Sequence, residues 1–436
     1  MRRIRIAVAG LGVVGRRAVR LLKSNRQKFL GLGARVELAA VADREVTREA
    51  RALGLGPSVF RTRDPQELLA REPDVVVELL GGLEAPRSLV LEALRKGRHV
   101  VTANKRLLAH CWEELQEARA SSGGRLYFEA SVAGGIPLLQ SLESLSANRI
   151  EALYGILNGT TNYVLSRAEE GAPLPEALAE AQGLGLAEKD PSLDLSGQDT
   201  AQKLSVLASL VTGAWVRPEG IARQGITQIE SEDLEFARAR LGRTPRLLGV
   251  LSLDWGRARG LWPSPKAVRV EAHVFPTLVP LGHPLAGVRR EYNAVFLKTS
   301  EAADLMFYGK GAGPGPAASA VVGDIFLLAR DLLSGLPAQR REPGRAVLRP
   351  IDESLSCFYL RLLARDRPGV LARIASALAR RGVSIASIHQ SQAGGNGVPI
   401  ILTTHPTSHG RFRRALSEIL GLGSVARRHT VMRILA

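Results

Sequence analysis

Cysteine is nearly absent from this chain of 436 residues: the two present, Cys111 and Cys357, can frame neither a disulfide scaffold nor a cysteine-based metal centre. A reducing cytoplasm is therefore the expected location. Aromatic residues make up only 5% of the sequence, too few for base stacking, and the arginines are scattered without an aromatic-interleaved patch. Nucleic acid is not an expected partner, despite a formal net charge of +17. That charge suits an anionic cofactor or a carboxylate substrate, and equally an ordinary arginine-rich surface. No apolar run approaches the roughly 18 residues of a membrane span. The opening Met-Arg-Arg-Ile-Arg resembles the head of a signal peptide, but glycines at 10, 12 and 15 and arginines at 16 and 17 interrupt the apolar stretch behind it. No membrane association is expected.

What is present is a nucleotide signature. Residues 4–9 form an apolar run of strand length, followed by Gly10-Leu-Gly12-Val13-Val14-Gly15 and then by helix-like sequence over 16–23. One glycine permits the tight turn, a second lets backbone approach a pyrophosphate, and the third allows close packing of strand and helix. The amides of Val13 and Val14 open a helix N-terminus towards phosphate. A second strand over 36–42 ends at Asp43-Arg44, after an insertion over 25–33 that lengthens the first crossover. Asp43 in this position favours the ribose hydroxyls of NAD, whereas Arg44, helped by Arg48 or Arg51, suits the extra phosphate of NADP. The sequence leaves the choice open.

Strand-like runs at 74–80 and 98–102, with a helix over 86–96 between them, continue an alternation that predicts a doubly wound parallel sheet. Ligands in such sheets bind beyond the strand ends. There stand Thr102-Ala-Asn104-Lys105 and, further on, Glu129-Ala-Ser-Val132-Ala-Gly134-Gly135-Ile136-Pro137. The stretch from Gly185 to Leu204 carries Glu188, Asp190, Asp194, Asp199 and Lys203. If a helix opens at Ser196 or Gly197, Asp199 and Lys203 share one face. A lysine held against a carboxylate and shielded from water can donate and accept a proton, as alcohol and carbonyl interconversion requires. An isolated pair at this spacing would more often be a solvated surface contact.

The glycine turn, the 102–105 and 129–137 segments, Gly155-Ile-Leu-Asn-Gly-Thr-Thr-Asn-Tyr163, Ala187-Glu188 with Asp190-Pro191, Asp199 with Lys203, and the run from Tyr308 to Asp324 together resemble the homoserine dehydrogenases. The resemblance implies NAD(P)-dependent interconversion of L-homoserine and L-aspartate 4-semialdehyde, on the way to threonine and methionine. It implies that Lys203 exchanges the proton, that Glu188 and Asp199 hold the substrate ammonium, with Asp199 also orienting Lys203, and that Lys105 meets the substrate carboxylate or the nicotinamide. Thr102, Gly185 and Gly311 would lie against the cofactor. Glu129, with the carbonyls of Val132, Gly134 and Ile136, would hold sodium or potassium, a low-charge ion suited to oxygen ligands. The sequence departs from the family pattern at Lys189, Ser192 and Ala317, none of them the proton-exchanging lysine.

The expected fold is α/β: a doubly wound parallel-sheet (Rossmann) nucleotide domain over 1–133, an α+β substrate and dimerisation domain over 134–335, a linker over 336–352 and a separate βαββαβ module over 353–436. A helix over 317–335 is expected to pack back on the first domain. Strands at 356–363, 383–392, 398–404 and 425–435, helices beginning near 370 and 410, and a hairpin at 394–397 make that last module resemble an ACT domain, a sensor of small amino acids. Threonine is the effector this implies, and a homodimer or homotetramer the expected assembly. Two other readings compete. A non-catalytic sensor would have lost its acid/base residues, yet Glu188, Asp199 and Lys203 are all present. Aspartate-semialdehyde dehydrogenase needs a cysteine nucleophile, and neither cysteine stands in such a setting.

Overall fold

The computed structural model describes residues 1–256, 267–335, 337, 344–390 and 397–435. Its first layer is a six-stranded parallel sheet in the spatial order Phe60–Thr62, Ala34–Ala42, Arg2–Ala9, Val75–Glu78, His99–Thr102 and Leu126–Tyr127. Towards their carboxyl ends the central strands are buried on both faces and read as apolar runs, residues 6–9, 40–42 and 75–77, as parallel strands covered by helices must. The strand order reverses between Ala34–Ala42 and Val75–Glu78, on either side of Arg2–Ala9, and the carboxyl ends there open a crevice for ligand. The insertion expected merely to lengthen the first crossover is itself a helix, Arg26–Leu32, closed by Gly33 at φ 96°.

The helix Pro314–Leu333 comes back from far along the chain. Its buried face, Ala318, Val321, Ile325, Leu328 and Leu332, joins Ile4, Ile6, Val8 and Val19 in one core. The nucleotide-binding layer is thus completed by sequence from the other end of the middle region.

The second layer is a mixed sheet ordered Asp304–Lys310, Tyr292–Thr299, Ile150–Ile156, Arg243–Asp254, Val268–Pro280, Val425–Ile434, Leu355–Ala364, Val398–Thr404, Ile385–Gln390. The last four strands, with helices Val370–Arg380 and His409–Leu420, form the expected βαββαβ unit. The expected hairpin over 394–397 falls largely outside the described residues. This unit is not set apart from the rest, as the sequence suggested. Val425–Ile434 pairs in parallel with Val268–Pro280 through Thr277 with Arg433 and Leu278 with Ile434. Within the expected linker, Ala346–Leu348 pairs with Val268 to Val270.

Alternation along Leu355–Ala364 shows why the two parts adhere. Phe358, Leu360 and Leu362 face the unit's own helices, while Tyr359 joins the main core on the other face. Beside it Arg361 is 4% exposed and grips Asp233, 0% exposed, with Nε–Oδ1 2.7 Å and Nη2–Oδ2 3.1 Å. The Tyr359 hydroxyl donates to Asp233 Oδ1 at 2.7 Å and the Glu230 amide to Oδ2 at 2.8 Å. Asp233 belongs to the N-terminal capping box of helix Ser231–Leu241, so that helix covers the face of the ACT-like sheet its own helices leave bare.

Candidate active site

Gly10 ends the first strand at φ 95°, and a Cβ there would lie 2.4 Å from the Leu79 carbonyl oxygen. A Cβ on Gly15 would lie 2.0 Å from the carbonyl oxygen of Gly10. Gly12, the N-cap of helix Val13–Ser24, has nothing within 4 Å of the same position. Two glycines therefore let the loop fold on itself, and the third keeps space open before the amides of a helix N-terminus, a cradle for pyrophosphate. Gly15→Ala should weaken NADPH binding by about tenfold or more, because the clash is with backbone; a fluorescence titration at unchanged affinity would contradict this.

Asp43 accepts from the Leu11 amide through Oδ2 at 2.7 Å and from the Glu45 amide through Oδ1 at 2.9 Å. It braces the glycine loop with both oxygens. Arg44 next to it is exposed, and Arg48, Arg51 and Arg63 line a cavity of about 270 Å³ together with Glu45 and Thr47. Thr102 is wholly buried, its hydroxyl donating to Glu78 Oε2 at 2.5 Å and accepting from the Asn104 amide at 3.0 Å. Its side chain shapes the strand end and does not reach into the crevice. Burial pushes the Glu78 carboxyl up in pKa, against hydrogen bonds from Thr102 and Leu80.

Lys105 opens helix Lys105–Ser122 at the same sheet edge, behind the N-cap Asn104. Its Nζ pairs with Asp199 Oδ1 in the other layer. Helix Gln198–Thr212 starts after Gly197, at φ 79°, and carries Asp199 and Lys203 one turn apart. Lys203 Nζ lies 2.7 Å from Asp199 Oδ2 and donates to the Leu157 carbonyl at 2.6 Å. Both side chains are about nine-tenths buried or more. An ammonium has three N–H donors, and two are used here. Asn158 Nδ2 donates to Asp199 Oδ2 at 2.8 Å and to Asp194 Oδ1 at 2.7 Å, while its Oδ1 caps the following helix at the Thr161 amide.

Burial alone would raise the Asp199 pKa, but the ammonium groups of Lys203 and Lys105 overcome it and hold the carboxyl far below its usual range. For Lys203 burial is the larger influence and lowers the pKa; Asp199 opposes it and Lys105 adds to it. The arrangement is an amine poised to lose its proton more readily than a surface lysine.

The other expected residues fall into two groups. Gly134, at φ 42°, packs so close to Gly311 that a Cβ would lie 2.6 Å from its carbonyl oxygen, and the Gly135 amide donates to the Lys310 carbonyl at 3.1 Å. The late glycine turn thus seals onto the 132–136 loop. Glu188 is exposed on the loop after Gly185, itself exposed at φ 71°, and its carboxylate forms no ion pair among the described residues. Asp199 carries one lysine on each oxygen, Lys105 at Oδ1 and Lys203 at Oδ2.

Glu129 is 4% exposed and accepts from the amides of Leu139 and Gln140, each at 2.9 Å. Its own amide donates to Asp324 Oδ2 at 2.9 Å. Burial raises the pKa of both carboxyls, Asp324 to about 8, and neither forms an ion pair among the described residues. Two buried carboxyls with no cationic side chain paired to them among the described residues are where a monovalent cation would stabilise the charged forms.

The chain is similar to known proteins over almost its whole length. A homoserine dehydrogenase NAD-binding model matches residues 10–129, a homoserine dehydrogenase model residues 137–326 and an ACT domain model residues 358–423. Homoserine dehydrogenase of Synechocystis is 38% identical over 99% of this chain and 100% of its own. The chain belongs to the homoserine dehydrogenase family. The crystal structure of a homoserine dehydrogenase from Thiobacillus denitrificans matches with a TM-score of 0.89 at 36% identity, covering 100% of this chain and 99% of that one. A hyperthermophilic archaeal member solved in complex with NADPH shares the fold at a TM-score of 0.63 and 24% identity, over 77% of this chain and 100% of its own. As a member of the family the protein is an NAD(P)-dependent oxidoreductase interconverting L-homoserine and L-aspartate 4-semialdehyde, with an ACT domain at its end.

Sequence reasoning assigned no role to Asn158, Asp194, Glu78 or the Leu157 carbonyl. Asn158 carried a signal, since asparagine between an apolar run and Gly-Thr-Thr is a helix N-cap. A backbone carbonyl carries none.

Proposed function

We propose that Lys203 is the proton-exchanging residue. The observation that carries this is its Nζ, buried between Asp199 and the Leu157 carbonyl with one donor unspent. In oxidation the neutral amine takes the hydroxyl proton of homoserine; in reduction the ammonium returns a proton to the aldehyde oxygen. A bound nicotinamide supplies the hydride exchange at the same carbon. Asp199 orients Lys203 and keeps Lys105 at the layer boundary. Glu188 then receives the substrate ammonium, and Lys105, partly open to the crevice, receives the substrate carboxylate. Purified full-length protein should reduce NADP+ when L-homoserine is added, read as nicotinamide absorbance; no reduction with either NAD+ or NADP+ would refute the reading.

NADP is the cofactor the loop around Asp43 favours. Asp43 has committed both oxygens to backbone amides, while Arg44, Arg51 and Arg63 lie exposed or around a cavity beside it. Arg51→Ala should lower kcat/KM with NADP+ by about tenfold and leave that with NAD+ unchanged. Equal loss with both cofactors would place Arg51 elsewhere in the mechanism.

Glu129 with the carbonyls of Val132, Gly134 and Ile136 would hold Na+ or K+, which neutralises the Glu129 and Asp324 charge and fixes the loop against the Gly311 turn. The ACT domain supports feedback by a small amino acid such as threonine. The protein is read as a cytoplasmic homodimer or homotetramer.

A further inference from the structure

A cavity of about 690 Å³ lies between the ACT strand and the back of the catalytic loop. Leu174, Leu178, Leu195 and Ile226 form an apolar floor, and Glu232 and Arg427 stand at its rim. Glu230 and Arg428 also line it but are paired with each other at 2.8 Å, and Glu230 with Arg361 at 2.8 Å. The Glu232 carboxylate and the Arg427 guanidinium form no ion pair or side-chain hydrogen bond among the described residues. Opposite charges left unpaired above an apolar floor complement a zwitterion with a hydrocarbon side chain.

The wall of this cavity is a strap, residues 224–230, fastened on two sides. Towards the ACT domain, Gln224 Nε2 donates to the Val431 carbonyl at 2.9 Å and the Thr430 hydroxyl to the Gln228 carbonyl at 2.6 Å. Towards the active site, the Ile226 amide donates to the Leu195 carbonyl at 3.0 Å. Gly225 approaches so closely that a Cβ would lie 1.9 Å from that same Leu195 oxygen. Leu195 precedes Asp199 by four residues, across the Gly197 turn, and follows Asp194, which Asn158 ties to Asp199. A molecule seated in the cavity bears directly on the segment that positions Asp199 and Lys203.

We propose that this cavity binds an aliphatic α-amino acid, its ammonium at Glu232 and its carboxylate at Arg427, and that occupancy changes turnover through the 224–230 strap. The proposal rests on the ACT domain being regulatory, and locates its effector within one chain, between ACT domain and catalytic layer. Full-length protein is titrated calorimetrically with L-leucine, L-isoleucine, L-valine, L-methionine and L-threonine, and initial rates are measured with each. The expected result is saturable binding of one or more of the aliphatic members, with a change in kcat. Glu232→Gln and Arg427→Gln should each weaken binding by about tenfold or more and leave the uninhibited rate unchanged. Binding that neither variant weakens would place the effector elsewhere, such as between ACT domains of two chains, and would overturn the site. So would no binding at all, or a variant that changes only the sedimentation of the oligomer. Binding without any change in rate would overturn the relay. The rate without effector reports separately on the enzymatic reading, so the two can fail independently.

Discussion

Lys203→Ala lowers turnover of L-homoserine by about 10²- to 10⁴-fold, the range lost when a positioned acid or base is removed, while the affinity for NADPH stays within about twofold of wild type. The fold tolerates the change because Asp199, buried though it is, keeps its pair with Lys105 and its hydrogen bond from Asn158. The nucleotide crevice is built from glycines and amides at the other side of the site and does not use Lys203. Turnover within a few-fold of wild type, at unchanged cofactor affinity, would remove Lys203 from the chemistry. A parallel loss of NADPH binding would show that the lysine acts through structure instead.

Arg361→Leu costs about 3–5 kcal/mol of stability, because it leaves Asp233 buried without its cation. Tyr359 and the Glu230 amide still donate to that carboxylate, but two neutral donors do not replace a guanidinium. Glu230 keeps Arg428 on the exposed side. Guanidinium-induced unfolding followed by circular dichroism should show an earlier transition for the region that contains the ACT sheet. The double variant Asp233→Leu with Arg361→Met should recover much of the loss, since an apolar pair of similar volume avoids the desolvation of both ions. A single variant as stable as wild type would mean that the pair contributes little to holding the two layers together.

Much of the nucleotide layer could be read from residue order alone. Its central strands end in apolar runs, and parallel strands buried there on both faces leave that trace. The ACT-like module was legible for the opposite reason, through alternation and short turns. The strand Arg243–Asp254 was not, since Pro245 and Gly249 punctuate it. Pro245 is tolerated because the neighbouring strand Ile150–Ile156 pairs only with Gly249 to Ser252 and leaves that stretch without a second partner. The docking of the ACT sheet leaves no local trace either, because nothing in the pattern around Arg361 says that its partner is 128 residues away.

Within the site, spacing alone brings Asp199 and Lys203 together, and Lys105, expected at the cofactor edge, follows the strand His99–Thr102 at the head of a helix. What spacing could not show was that Lys105 and Lys203 share Asp199. That arrangement depends on how two domains meet, which no local spacing encodes. Asp43 is a similar case: its position after the second strand suggested a ribose contact, but the structure turns both oxygens onto backbone amides of the loop it was expected to assist.

Whether Lys203 exchanges the proton is read most plainly from the pH dependence of kcat for homoserine oxidation. The base form of a lysine is needed, so the rate rises with pH, and burial lowers that lysine's pKa. The rising limb should therefore lie below the roughly 10.4 of an unperturbed lysine, and it should vanish from the residual activity of Lys203→Met with NADP+ saturating. The same limb, at the same pH, in Lys203→Met would assign the proton to another group.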